Sequence, residues 1–154
     1  MFVILMAMGL VSFSTTAAAT HSGGVEPPND FVVGSIRFAP FDADIHINAV
    51  SGPSGEEARG GFFYRQGPVE FRGEVTCLRT IANRAVAGGR IETSNVPALE
   101  GRGFLQHVED NGEPGLTDRS RTEFLPVPPP ECPLPISALF QRTQGNYVVH
   151  DGQP

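Results

Sequence analysis

The chain has 154 residues, 18 glycines, 14 prolines and a net charge of −6, and all 11 of its basic residues are arginine. An acidic body without a basic stripe excludes nucleic acid and anionic membrane surfaces as partners. Abundant Gly and Pro, with aromatics that are mostly Phe, exclude a bundle of long helices and point to many short strands.

Met1 to Ser14 (MFVILMAMGLVSFS) is uncharged and apolar, and Thr15 to Ala19 turns small, ending Ala17-Ala18-Ala19. An apolar h-region followed by an A-x-A site reads as a secretory signal peptide over residues 1–19, with Met1 amine as the sole positive charge of its n-region. The apolar run is about 13 residues, whereas a membrane span needs roughly 20. The mature chain is therefore expected to be secreted and extracellular, with no membrane attachment after cleavage.

Residues 20–29 read as a polar linker and residues 30–154 as a single β domain. Phe31 to Phe38 (FVVGSIRF) is the first predicted strand. In the next, Asp42 to Val50, the residues Phe41, Ala43, Ile45, Ile47 and Ala49 fall on one face and Asp42, Asp44, His46 and Asn48 on the other, the period of a half-buried strand. Turn residues Ser51 to Gly55 lead to Arg59 to Arg65 (RGGFFYR), a third strand. Gln66-Gly67-Pro68 turns the chain into Val69 to Leu78, where Val69, Phe71, Gly73, Val75 and Cys77 are expected on the inner face. Ala82-Asn83 turns it again into Arg84 to Thr93, with Ala85, Ala87, Gly89 and Ile91 on one face. Gly103 to Glu109 and Asp118 to Leu125 are two more strands, flanking the turn Asp110 to Gly115. Pro126 to Pro135 holds six prolines around Cys132 and is expected as extended coil, because proline lacks the N–H that a central strand needs. Leu134 to Gln141 has room for one short helical turn, and Asn146 to His150 closes the series. About eight strands at roughly 10-residue spacing predict an all-β antiparallel barrel or sandwich.

Two cysteines in an exported chain are expected to pair. Cys77 and Cys132 enclose about 54 residues, a loop whose closure contributes on the order of 4 kcal/mol in the chain-entropy model. With no C-x-x-C and no His at ligand spacing they do not form a zinc pattern.

Three blocks carry a resemblance: Val75-Thr76-Cys77-Leu78, then Asn83-Arg84-Ala85 with Gly88-Gly89, then Val108 to Gly115 followed by Asp118. Together they resemble a group of small exported, largely actinobacterial β proteins and are similar to the post-COAP-1 domain module of multidomain surface proteins. The resemblance covers roughly Phe31 to Leu125. It implies an exported all-β module, and it implies no reaction and no catalytic residue.

The acidic turn is the principal site candidate. Asp110, Asn111, Glu113 and Asp118 place hard oxygen donors close together, as Ca²⁺ requires, although the spacing is not that of an EF-hand loop. The competing reading is a hairpin whose Asp110 caps its own turn. Asp42, Asp44 and His46 share one strand face, about 7 Å apart, and suit either metal binding or acid–base work or a solvated face. His107 is expected to point outward. Ser54 lacks the G-x-S-x-G spacing of a nucleophile elbow, paired cysteines remove thiol chemistry, and no Gly-rich loop precedes a helix. The expectation is a non-catalytic module that binds a cell-surface protein or a polysaccharide. The alternatives are a small-ligand carrier, which needs an apolar cavity of roughly 300 Å³ or more, and a secreted hydrolase. Inward Phe38, Phe62, Phe71 and Phe104 would fill a barrel and disfavour the carrier.

Overall fold

The computed structural model describes residues 29–38, 42–112, 118–136, 141–142 and 144–152. The signal segment, most of the linker, Phe41, Glu113 and residues 137–140 of the expected helical turn lie outside them. Strands β1 (Asp30–Phe38), β2 (Ala43–Ser51), β3 (Arg59–Gln66), β4 (Val69–Ile81), β5 (Arg84–Ser94), β6 (Gly103–Glu109), β7 (Arg119–Leu125), β8 (Gln141–Arg142) and β9 (Gln144–His150) alternate with tight turns. The only helical element among the described residues is one 3₁₀ turn, Pro97–Leu99. The fold is all-β.

Every strand pair is antiparallel, and one sheet runs β8-β7-β6-β5-β4-β3-β2-β1-β9. β8 pairs with β7 while β9 pairs with β1. A single residue separates β8 from β9 in the chain, so the two ends of the strand order must lie side by side. The sheet is therefore curled into a half-barrel, and a sandwich of two separate sheets is ruled out.

The predicted alternation gives the concave face its side chains. Ala43, Ile45, Ile47 and Ala49 of β2 are all buried and join Val32, Ile36, Phe38, Val75, Ile91 and Val108 in one core. Its centre is aromatic. Phe62 stacks on Phe104 at 4.5 Å, Tyr64 stacks on Phe71 at 5.0 Å, and Phe62 meets Phe71 at 5.8 Å. Phe38, Phe62, Phe71 and Phe104 are thus the inward residues that the sequence predicts.

One expectation about phase fails. Cys77 does not continue the inner face of β4. The register between β4 and β5 slips between Val75 and Cys77, so one extra residue on β4 leaves Val75 and Leu78 in the inner core and turns Cys77 outward, as a β-bulge does. Outside the barrel Cys77 joins a second small core with Val86, Leu105 and Cys132. The two cysteines form the expected disulfide. The Pro-rich segment around Cys132 carries no strand and lies over the outside of β4, β5 and β6. Pro129 reaches Gly88 and Val127 reaches Gly103 closely enough that neither glycine has room for a side chain. The disulfide thus fastens a strap to the outer wall. β6, covered on both sides, is buried along its whole length.

A candidate binding cleft on the convex face

The outer side chains of β1 to β4 stand in cross-strand rows set by the register. The first row is ionic. Arg37 lies 3.1 Å from Asp42 and 3.8 Å from Asp44, and Arg65 also pairs with Asp44. Asp44 is therefore held between two arginines, while Asp42, at the positive-φ position before β2, serves Arg37.

The second row runs Asn146, Ser35, His46, Phe63 and Arg72 from β9 to β4. Phe63 has outward parity because its neighbours Phe62 and Tyr64 face the core. Its ring lies 5.4 Å from that of His46, and the Arg72 guanidinium sits over it at 5.2 Å, a cation–π arrangement. The third row runs Val33, Asn48, Gly61 and Glu74 from β1 to β4, and Gly61 has no side chain. The result is a depression of about 830 Å³ in which the second row, Val33, Asn48 and Gly61 all take part. Asp42, Asp44 and His46 are not one constellation: the two carboxylates belong to the ion pairs and His46 to the cleft.

In the described part of the acidic turn, the carboxylates of Asp110 and Asp118 meet backbone amides. Asp110 Oδ1 accepts the N–H of Gly112 at 2.9 Å, and its Oδ2 accepts that of Val149 at 3.1 Å. Asp118 Oδ1 accepts the N–H of Asn111 at 2.9 Å, and its Oδ2 accepts that of Tyr147 at 2.7 Å. The Asn111 side chain donates to Glu109 at 3.1 Å. Both carboxylates therefore hold the β6–β7 turn to β9 at the barrel seam. Among the described residues no three His, Cys, Asp or Glu side chains gather as metal ligands. Asp30 and Asp151 act alike: Asp30 accepts from Gly152 at 2.7 Å and Asp151 from Ala82 at 2.8 Å.

His107 has the outward parity expected of it, yet it is buried beside Leu105 under the outer layer. Its Nε2 lies 3.8 Å from Glu123. Burial pulls its pKa below the ordinary 6.5, with Glu123 opposing and Arg121 adding to the shift. Inside the barrel the fully buried Tyr147 hydroxyl accepts a hydrogen bond from Gln106 at 3.4 Å, and burial pushes its pKa up. A second depression, of about 670 Å³, lies beside the disulfide and includes Ser54, Glu56 and Asp151 but no histidine. The backbone N–H of Ser54 donates to Glu56 at 2.7 Å.

The sequence marks His46 but not the rest of the cleft. The available signal was Phe63, the central aromatic of a three-aromatic run, which strand alternation must turn away from the core. Among the described residues no helix is long and apolar enough to cross a membrane. Comparison with known proteins finds no family model, no curated protein and no solved structure that matches the chain.

Proposed function

We propose that the chain is an exported, non-catalytic β module that works by binding at the cell surface. One observation carries this reading. The concave side is packed with Phe and Tyr rings in mutual contact, whereas the 830 Å³ depression, apolar in the main but bordered by Ser35, His46, Asn48, Arg72 and Asn146, opens on the convex side. A carrier would invert that arrangement, keeping a vacant apolar interior. Export is supported by the N-terminal segment and by a disulfide, a bond that persists in oxidising compartments. The resemblance to exported surface modules points the same way.

The test is sedimentation with purified envelope of the producing cell. Protein collected from the medium should begin at Thr20, carry no free thiol and pellet with the envelope in a saturable manner. Protein that stays in the supernatant, or that turns over ester or glycoside substrates, would overturn the proposal.

A further inference from the structure

Resting on that binding reading, we infer that the convex cleft is a saccharide site, in which a sugar ring sits over Gly61 against Phe63 and hydrogen-bonds to Ser35, His46, Asn48, Arg72 and Asn146. The first argument is Gly61 itself. Each of the other strand glycines among the described residues (Gly34, Gly60, Gly73, Gly88, Gly89, Gly103 and Gly145) would push a Cβ to within 3.0 Å of a neighbouring atom, so packing demands glycine there. A Cβ on Gly61 meets nothing within 4 Å, and the backbone there has no positive φ. Neither packing nor conformation requires this glycine, and glycine weakens a strand. What its missing side chain provides is the floor of the cleft.

The second argument is the state of the polar groups. In the ionic row the charges satisfy one another. One row further, Ser35, Asn48 and Asn146 make no side-chain hydrogen bond among the described residues, and Arg72 and His46 each lie against the Phe63 ring. The cleft lining thus offers hydroxyl, amide and imidazole groups and one guanidinium around an apolar ring, with Glu74 next to Gly61 across the β3–β4 pairing. A sugar presents the complement: hydroxyls at its rim and C–H groups on its faces.

Other partners fit less well. β1 to β4 are each paired on both sides, so no free backbone edge exists there for an extended peptide. The exposed large apolar side chains bordering the cleft are Val33 and Val148, too few for the apolar centre of a protein interface. A polyanion would meet a body of net charge −6 in which the arginines of the neighbouring row, Arg37 and Arg65, are held by Asp42 and Asp44.

The test uses the mature, disulfide-bonded chain and a panel of soluble neutral oligosaccharides (cello-, chito-, xylo- and malto-hexaose), read by amide chemical shifts in NMR. The expected result is that at least one shifts Ser35, Gly61 and Phe63 together. The Gly61→Val variant, which fills the cleft while adding a strand-favouring residue, should lose binding at least tenfold without a fall in melting temperature. Phe63→Ala should lose it similarly. The inference is overturned if no member of the panel causes shifts at about 10 mM, above the millimolar Kd of a weak site, or if Gly61→Val binds as the parent does. Envelope binding that survives Gly61→Val but vanishes when the envelope is protease-treated would keep the binding module and replace the sugar by a protein. Loss of envelope binding altogether would remove both.

Discussion

Asp118 Oδ2 accepts the backbone N–H of Tyr147 at 2.7 Å, from the far side of the barrel seam. β9 otherwise pairs with β1 alone, and its other edge would leave N–H groups without a strand partner. Asp118 and Asp110 take two of these, at Tyr147 and Val149. Hydrogen bonds to a carboxylate are each worth about 1.5–3 kcal/mol net. Asp118→Ala should therefore lower stability by about 3 kcal/mol, since it orphans the Tyr147 and Asn111 amides together. Hydrogen exchange should quicken at Tyr147 and Val149 while β2 and β3 stay protected. Uniform loss of protection over the sheet would show that the seam is not a separate unit.

Phe71 makes three ring contacts, with Phe62, Tyr64 and Phe124, and is 1% exposed. Phe71→Ala should cost about 3–5 kcal/mol in urea unfolding, as a cavity of that size does. Phe63→Ala, on the convex face of the neighbouring strand, should cost about 1 kcal/mol or less, near the surface norm. Similar losses at the two positions would mean that the assigned faces are wrong.

The Cys77–Cys132 bridge closes a loop over 55 positions, worth about 4 kcal/mol in the chain-entropy model. Replacing both cysteines with Ala should lower stability by about that amount. It should also loosen the outer strap first, so that the amides of Val86 and Leu105, which the strap and its bridge cover, lose protection before those of Ile45 and Ile47.

How much of this could be read in the sequence follows from what each signal encodes. Period-two burial is local, so Ala43, Ile45, Ile47 and Ala49 declared their face, and the turns at Gly67 and Ala82-Asn83 declared the hairpins. The bulge at Val75–Cys77 is a pairing event between two strands and leaves no mark on either, which is why Cys77 seemed to face inward. β8 is two residues long and exists only because β7 lies beside it. For the acidic turn, a sequence names the oxygen donors but not what they accept. Asp110 and Asp118 accept amides of β9, almost 30 or more residues away. The cleft was hidden for a similar reason: Gly61 is distinguished from its neighbour Gly60 by the space around it and by a backbone without positive φ, neither of which the sequence shows.

His107 couples the outer layer to pH. It is 2% exposed, and burial holds its pKa below the ordinary 6.5 against the opposing pull of Glu123. Between the folded and unfolded values the unfolded chain binds the proton more readily, so stability rises with pH there. The contribution is complete above the unfolded value and is lost progressively as pH falls through the folded one. No more than one proton is involved, which limits the slope to about 1.4 kcal/mol per pH unit. Urea unfolding of the parent and of His107→Gln, compared from about pH 7.5 down to about pH 5, should show the parent losing stability faster. Parallel curves would mean that His107 binds its proton as easily folded as unfolded.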